Sequence, residues 1–549
     1  METVFGILES INAVTLSVPV LLVLLAVGVL FTVWSGFLQY RALTHGFGLL
    51  TGRWTAPGGP GVLSHFSALS AALAATVGLG NIAGVAIAVE IGGPGAVFWM
   101  WVVGFVGMAI KATEVLLAVI YRDVSDPANP HGGTMWVAKR GLAELSPRLA
   151  RTGTVVGGAF SVALLTYAFF AGNMFQSWSV GDTTREYFGV APWLTGLVLA
   201  AAVGVVIIGG IRRIGALAAR LVPIMGSIYV LAGLWVLYMN ADELPGTFAL
   251  ILTSAFSPAD AGGAFLGAGL ATAFIFGMKR ALFSSEAGLG SAPIAHAAVR
   301  TREPVTEGIV AGLEPFIDTL VVCTVTALVI LVSGVWDRGP SAAWEEPPAF
   351  EQTDSGWIPG TDTPPVWEDG GWHAGDSVFV VVAGDDGRER LYGRIEPGNA
   401  GPRIQWTPLP LDGEPRLVED GLFADYTAST LTAKAFDSAA DGLGQWMVTL
   451  TIWLFAISTM ITWSYYGEQA ITYLFGQRWI PPYRAVYCGL IVLACTGLIQ
   501  TTRELDTLST VGVGLMLIIN LPLMVILGHK AMGAYKDYVG RLERGDIHP

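Results

Sequence analysis

The sequence predicts an all-α polytopic membrane protein whose eleven transmembrane helices include two five-helix halves in opposite orientation. Three observations support this fold class. Of 549 residues, 53% are hydrophobic and 13% are charged, with a mean hydropathy of +0.58, whereas soluble domains carry about 25% charged residues. Apolar runs of about 20 residues, the length that crosses a bilayer, recur along the chain. Two of these runs contain glycine-rich interruptions.

Eleven apolar runs are long enough to cross a bilayer. They lie at 12–36, 67–91, 95–121, 153–176, 190–211, 217–239, 262–285, 307–334, 442–468, 483–502 and 508–529. An odd number of spans places the two chain ends on opposite sides of the membrane.

The Lys and Arg residues of the short loops predict the orientation. Eighteen of them lie in one set of alternate loops and ends, whereas the opposite set holds only Arg185 and Arg503. Because positively charged loops stay in the cytoplasm, the C-terminus is predicted to be cytoplasmic and the N-terminus extracytoplasmic.

A long hydrophilic insertion, 336–441, then lies outside the cytoplasmic membrane. It contains 20 acidic and seven basic residues, so its net charge of −13 equals that of the whole chain. The apolar run Ser377–Val382, a Gly-Asp-Asp-Gly turn at 384–387 and the segment Arg390–Arg394 predict a β-hairpin. A small β-containing domain is expected here, either a solvated cap without a ligand or a module that controls access or concentrates cations.

The ten spans after the first divide into five and five. Because five is odd, the second half enters the membrane from the opposite side, which is the geometry of an inverted repeat. The predicted division is an extra helix and loop (1–60), a first repeat (61–240), two helices of the second repeat (241–335), the insertion (336–441), three further helices (442–530) and a cytoplasmic tail (531–549).

The leading helix of each half carries a Gly-Leu-Gly interruption, at 78–80 and at 288–290. Paired interruptions indicate a transporter site, since broken helices expose backbone dipoles to a solute. Amides at Gly78, Gly80 and Asn81 are predicted to bind a substrate carboxylate. The alternative for the glycines is close helix packing alone, and for Asn81 it is a helix cap without ligand contact.

Six separated motifs resemble the alanine/glycine:cation symporter family of prokaryotes. They are Gly80–Val85, Gly92–Trp101, Ile208–Arg213, Phe283–His296, Phe316–Thr324 and Trp463–Glu468. The resemblance covers nearly all of the chain outside the insertion. It implies a LeuT-type fold and sodium-coupled uptake of alanine, glycine or related amino acids across the cell inner membrane.

The chain departs from the family pattern in three places. Trp178 replaces a family asparagine that could hydrogen-bond substrate, Ser285 stands where the family's Ser-Asn-Glu-Ala-Gly has its asparagine, and the insertion is much longer than the usual loop.

The resemblance implies a sodium ion bound between the first and eighth core helices. The matching positions are the carbonyls near Ala75 and Gly78 with the hydroxyls of Ser458 and Thr459. Hydroxyls inside an apolar helix also bond to their own backbone carbonyls, which is the alternative for both side chains.

Three further side chains are candidates for the substrate pocket. Trp463 follows Thr459 by four residues, so the two share a helix face; Trp463 either limits substrate size or is a packing aromatic. Gln176 and Phe276 are included through the resemblance and their mid-membrane positions.

Charges inside apolar spans mark functional sites by default. Asp318 lies about ten residues into its helix, and Glu286 precedes the second Gly-Leu-Gly; both are predicted to act in gating or coupling. Lys111 and Glu114, three residues apart, are predicted to form an ion pair.

The predicted function is sodium-coupled symport of small neutral amino acids by alternating access. A proton-coupled symporter, in which Asp318 or Glu286 titrates, is the alternative. A membrane solute sensor is less favoured, because no cytoplasmic signalling domain is apparent. No P-loop, catalytic constellation or nucleic-acid-binding pattern is found in the sequence, so Na⁺ is the only cofactor expected.

Overall fold

A computed structural model describes residues 2–54, 58–256, 270–367, 371–384, 387–398, 401–411, 413–426, 428–497 and 502–547. The first span, predicted at 12–36, is found at Leu8–Trp34, and it is formed by the end of one helix and the whole of a second. Leu16 and Ser17 separate the two helices, and Pro19 occupies the first turn of the second helix, where its missing N–H needs no partner. The first elements are α1 Glu2–Thr15, α2 Val18–Trp34, α3 Leu38–Arg41, a π-helical turn Ala42–Gly46 and α4 Phe47–Leu50.

The next helix is broken. Ser64 caps α5 by accepting a hydrogen bond from the Ser67 amide, and α5 ends where Val77 becomes extended. The chain resumes in a different direction, bent by 56°. The elements are α5 His65–Thr76, a π-helical segment Gly80–Gly84, α6 Val85–Gly92, α7 Gly95–Tyr121 and α8 Thr134–Leu145.

A long helix follows and carries a π-helical turn in its middle. It is formed by α9 Ala150–Phe169, the turn Phe170–Met174 and α10 Phe175–Phe188, preceded by a 3₁₀ turn at Pro147–Leu149. It therefore continues twelve residues beyond the predicted span, which ends at residue 176. After it come α11 Pro192–Ile207, α12 Gly210–Met239, a 3₁₀ turn Ala241–Glu243 and α13 Leu244–Ser254.

A second interruption follows α14 Leu270–Ser285. Glu286, Gly288 and Gly290 all have positive φ, at 52°, 89° and 76°. The first of these is unusual for a residue with a side chain. The later helices are α15 Pro293–His296, α16 Pro304–Ala311, a π-helical segment Phe316–Cys323, α17 Thr324–Val332, α18 Ala428–Asp437, α19 Leu443–Phe475, α20 Ile480–Ala494 and α21 Thr502–Glu543, with 3₁₀ turns at Val335–Asp337 and Gln477–Trp479.

The protein is a helical membrane protein. Among the described residues, seven helices are long and apolar enough to cross a bilayer, and the bent pair His65–Thr76 and Gly80–Gly92 is an eighth. Three predicted spans coincide with the shorter helices α11, α14 and α20, of 16, 16 and 15 residues. Residues 262–269 and 498–501 of the predicted spans lie outside the described residues.

The insertion is built on β-strands, as the sequence predicts. A hairpin pairs β1 Phe350–Thr353 with β2 Gly356–Pro359. A larger antiparallel sheet has the order β5-β4-β3-β6, with β7 also paired to β3. Its strands are β3 Ser377–Gly384, β4 Gly387–Gly398, β5 Gly401–Trp406, β6 Arg416–Leu417 and β7 Phe423–Ala424. The predicted hairpin is the β3–β4 pair, in which Ser377 lies opposite Arg394.

A buried ion pair joins this sheet to the broken helix. Arg390 on β4 donates from Nη1 to Glu90 Oε1 at the end of α6, at 2.9 Å, and both residues are 7% exposed. The guanidinium also lies over the Phe379 ring at 4.4 Å. The insertion is therefore attached to the second half of the broken helix by a charge pair that is withdrawn from solvent.

Arg390→Ala is expected to destabilise the protein by about 3–5 kcal/mol, because Glu90 would stay buried without its cation. The measurement is the apparent unfolding temperature, together with the rate at which protease cleaves the insertion. Arg403→Ala is the matched control: it removes a 3.4 Å pair with Asp362 in which both side chains are more than half exposed, and such pairs contribute little. Equal behaviour of the two variants would contradict the role given to Arg390.

Candidate functional site

The first interruption is held open by one asparagine. Gly78 lies just after the end of α5, and its amide donates to Asn81 Oδ1 at 2.9 Å. In return, the backbone N–H of Asn81 donates to the Gly78 carbonyl at 3.1 Å. In an apolar surrounding an unpaired backbone group costs several kcal/mol. Asn81, which is fully buried, supplies the partner that the missing helical turn would have provided.

The same asparagine connects the first interruption with the rest of the core. Asn81 Nδ2 donates to Asp318 Oδ1 at 2.5 Å, and it lies 3.2 Å from Ser284 Oγ. Ser284 donates to the other carboxylate oxygen of Asp318 at 2.5 Å, and Thr319 donates to it at 2.9 Å. Asp318, predicted to be functional from its depth, therefore joins the two interrupted helices to the π-helical segment Phe316–Cys323.

The second interruption is satisfied by side chains from other helices. Glu114 Oε2 accepts the Gly290 amide at 3.1 Å, and Asn520 Nδ2 donates to the Gly288 carbonyl at 2.9 Å. Glu286 accepts a 2.6 Å hydrogen bond from Ser291. The backbone of both interruptions is thus hydrogen-bonded to buried side chains.

A narrow cavity of about 10 Å³ lies between the first interruption, α9–α10, α14 and α19. Its lining residues are Ala75, Thr76, Gly78, Leu79, Gly80, Tyr167, Ala171, Gln176, Phe283, Glu286, Thr459 and Trp463. The rings of Tyr167 and Trp463 are 4.4 Å apart between centroids. This volume holds one water molecule at most, so an amino acid enters only after the surrounding helices separate.

Two lining side chains present polar atoms without a hydrogen-bond partner. Thr459 Oγ1 and Gln176 Oε1 are buried and unpaired, and both residues are at most 4% exposed. A buried polar atom without a partner is costly. These two atoms point to a guest that would complete their hydrogen bonds or coordinate to them.

The structure brings most of the predicted residues to this cavity. Ala75, Gly78, Gly80, Gln176, Glu286, Thr459 and Trp463 line it. Asn81 and Asp318 lie directly behind the first interruption. Ser458 is outside the lining and donates to the Phe455 carbonyl at 2.8 Å, the alternative considered for it above.

Phe276 is placed elsewhere. It packs beside Gly92, the last residue of α6, where a methyl group added to that glycine would lie 3.0 Å from Phe276 Cβ. Phe283, two helical turns later on the same face of α14, lines the cavity instead. Phe283 is the first residue of the family motif Phe283–His296, so that motif could have identified it as a lining residue. Tyr167, which also lines the cavity, lies in none of the six motifs.

Trp178 does not reach the central cavity. It lines a larger cavity of about 380 Å³ near the end of α10, together with Asp182, Arg185 and Arg394 of the insertion. The residue that replaces the family asparagine therefore does not line the central cavity.

Comparisons with known proteins identify relatives along nearly the whole chain. The model of the sodium:alanine symporter family matches residues 1–351 and 418–549. The sodium/alanine symporter AgcS of Methanococcus maripaludis is 35% identical over 88% of this chain and 86% of its own length. YrbD of Bacillus subtilis, provisionally assigned as a sodium/proton-dependent alanine carrier, is 31% identical over 98% and 93%. The amino-acid carrier protein AlsT of Bacillus subtilis is 27% identical over 99% and 94%.

Among solved structures, MhsT in complex with L-phenylalanine covers 87% of this chain and 93% of its own, with a TM-score of 0.49 and 11% identity.

Asn81→Ala is expected to lower the stability of the folded protein, because the Gly78 amide and the Asp318 carboxylate each lose a buried partner, at about 1–3 kcal/mol per group. The apparent unfolding temperature, followed by tryptophan fluorescence, measures the change. Asn240→Ala is the control, since Asn240 is partly exposed and donates only to the carbonyl of Val236 in its own helix. An Asn81→Ala protein as stable as Asn240→Ala would show that the interruption does not depend on this side chain.

Proposed function

The chain belongs to the sodium:alanine symporter family, and from that premise we propose that it imports small neutral amino acids, alanine or glycine, together with sodium by alternating access. The single observation that carries the proposal is the cavity lined by the first interruption, in which two buried polar atoms lack partners. The family membership supplies the class, a multi-pass membrane transporter. The cavity supports the proposed position of the substrate.

The substrate carboxylate is assigned to the first interruption. Gly78 and Gly80 lie on the cavity wall, and amides at an interrupted helix favour an anion. Because the backbone amides of Gly78 and Asn81 already donate to each other's oxygens, the amide assigned to the carboxylate is that of Gly80. Asn81 fixes the turn from behind, and Gln176 offers an amide side chain opposite. In this assignment Asn81 acts through the backbone, while Gln176 contacts the guest.

The size of the substrate is limited by packed residues on the cavity wall. A methyl group on Gly78 would lie 2.8 Å from Thr459 Oγ1. The indole of Trp463 is 1% exposed and packs against Gly172, where an added methyl would meet it at 2.4 Å. Walls that are this tightly filled favour amino acids with the smallest side chains.

The sodium ion is assigned beside Thr459. Sodium takes oxygen ligands, including carbonyls freed by an unwound helix. Ala75 and Gly78 lie on the cavity where α5 ends, and the unpaired Thr459 hydroxyl faces them from α19. Ser458 would complete the set only by rotating away from the Phe455 carbonyl. Binding of sodium here would fix the end of α5 and thereby prepare the carboxylate site, a coupling that is reciprocal.

Proton coupling is the second candidate, and one relative is provisionally assigned to both ions. Asp318 and Glu286 are the residues that would carry the proton. Asp318 is fully buried and accepts from Asn81, Ser284 and Thr319, while Glu286 lines the cavity. In the sodium mechanism the same two residues act in gating, because they join the two interruptions.

The architecture proposed for this cycle is a LeuT-type inverted repeat of five plus five helices after one extra helix, eleven spans in total. The proposed units are 1–60, 61–240, 241–335, 336–441, 442–530 and 531–549. The C-terminus faces the cytoplasm, and the insertion lies outside the membrane. The Lys and Arg distribution and the matched interruptions support this arrangement.

Thr459→Ala is expected to reduce the apparent sodium affinity of amino-acid uptake by about tenfold or more, which corresponds to about 1.4 kcal/mol or more of lost coordination. The measurement is uptake of labelled alanine and glycine into proteoliposomes, with and without a sodium gradient and with a protonophore.

Thr462→Ala is the matched control, because it removes another buried and unpaired hydroxyl of α19 that does not line the cavity. Thr459→Ser should restore sodium dependence. Unchanged sodium dependence in Thr459→Ala would refute the ion site. Uptake that does not depend on the sodium gradient but is abolished by the protonophore would support the proton-coupled alternative.

A further inference from the structure

A continuous chain of buried ionisable side chains lies on the side of the two interruptions where α5 begins. His65 Nδ1 contacts one oxygen of Glu307, and His296 Nδ1 contacts the other at 2.5 Å. His296 Nε2 contacts Glu314 Oε1, also at 2.5 Å. Lys111 Nζ is 3.6 Å from the second oxygen of Glu314 and 3.6 Å from Glu114. His65 is 4% exposed, and the other members are at most 2% exposed.

The three nitrogen–oxygen contacts of the two histidines require three protons. Each contact needs one hydrogen between its two heavy atoms, since otherwise two lone pairs face each other. Neutral imidazoles at His65 and His296 supply one N–H each. A third proton is therefore held within Glu307, His296 and Glu314, either on the imidazole ring or on one of the carboxyl groups.

The charged groups around Glu307, His296 and Glu314 do not remove the need for the third proton. The carboxylates acting on Lys111 are those of Glu314, Glu114, Glu286 and Asp318, so one ammonium faces four acidic groups. Arg122, at the end of α7, interacts electrostatically with Glu307, and it donates hydrogen bonds to the carbonyls of Pro60, Ala297, Val299 and Thr301. From α19, the Tyr466 hydroxyl interacts electrostatically with Glu314 and Glu114.

The residues that hold the third proton lie on α15 and on or just after α16, and His65 links them to α5. His65 is the first residue of α5, His296 closes the short helix α15 after the second interruption, and Glu307 and Glu314 lie on and just after α16. At the far end of the chain, Glu114 accepts the Gly290 amide of the second interruption. Loss of the proton would turn one of the 2.5 Å contacts of His296 into a repulsion and would separate α15 from α16.

We propose that Glu307, His296 and Glu314 form a proton-binding site whose occupancy keeps the cytoplasmic side of the transporter closed. The ligand is a proton that comes from the cytoplasm and returns to it, and it is distinct from the coupling ion. This inference rests on the proposed function and orientation, in which α5 begins at the cytoplasmic surface. His65 forms the end of the chain nearest that surface, between the exposed residues Ser64 and Phe66.

The experiment measures the initial rate of sodium-driven alanine uptake into proteoliposomes while internal and external pH are set separately. Internal pH is stepped from about 5.5 to 9, the range in which histidine and perturbed carboxyl groups titrate. In the wild type the rate is expected to fall by about fivefold or more as internal pH decreases, the size of an ordinary coupling between two sites. External pH at constant internal pH is expected to have no such effect.

Glu307→Gln is the decisive variant. Its amide can donate to His296 Nδ1 and accept from His65 Nδ1, so all three contacts keep a hydrogen without a titratable proton. Its uptake should be slow and independent of internal pH. Glu314→Gln should behave in the same way, which gives a second variant if the first does not fold. His131→Gln is the control, because the two ring nitrogens of His131 contact the side-chain amides of Gln469 and Gln477 rather than carboxylates, and it should keep the wild-type profile.

A wild-type rate that is flat in internal pH would overturn the proposal without any variant. A Glu307→Gln or Glu314→Gln protein that keeps the wild-type pH profile would overturn it too, as would an equal response to external pH, which indicates a transported proton. Absence of sodium-driven uptake in the wild type would instead refute the proposed function, so the two failures are distinguishable.

Discussion

Hydrogen bonding of the backbone where helices are interrupted is the constraint on which the rest of this structure depends. A membrane offers no water to an exposed amide or carbonyl, so a chain that breaks a helix within it needs a dedicated partner for each freed group. Asn81 serves the first interruption, and Glu114 and Asn520 serve the second. Because these partners are themselves buried and charged or polar, each one requires further partners in turn.

The need for further partners produces two buried polar networks, one beside the cavity and one that extends from the second interruption to His296. Asn81, Ser284 and Asp318 join the interruptions beside the cavity. Glu114 begins the second network, which continues through Lys111 and Glu314 to His296. A conformational cycle that moves either broken helix must rearrange one of these networks. The structure thus explains why so many acidic groups lie in a core whose net charge, outside the insertion, is close to zero.

The sequence predicted the features that are local in the chain. The break near Gly78, the β3–β4 hairpin and the Lys111–Glu114 pair all follow from spacing over a few residues. Contacts between distant positions could not be predicted: Asn81 and Asp318 are 237 residues apart, and His65 and Glu307 are 242 apart. Phe276 was a candidate through the resemblance and its mid-membrane position, but periodicity does not give depth along a helix, and Phe283, two turns later on the same face, lines the cavity. Helix α18, at the end of the insertion, was not expected either.

The most direct test of the account is sodium-dependent binding of alanine to the purified protein and to Gly78→Ala, with Gly84→Ala as the control. A methyl group at 78 would meet Thr459 Oγ1 at 2.8 Å, whereas at 84 the nearest atom is Arg280 Cδ at 3.8 Å. If the first interruption holds the amino acid and its ion, Gly78→Ala weakens binding by about tenfold or more, about 1.4 kcal/mol, and Gly84→Ala leaves it unchanged. Undiminished, sodium-stimulated binding to Gly78→Ala would contradict the account.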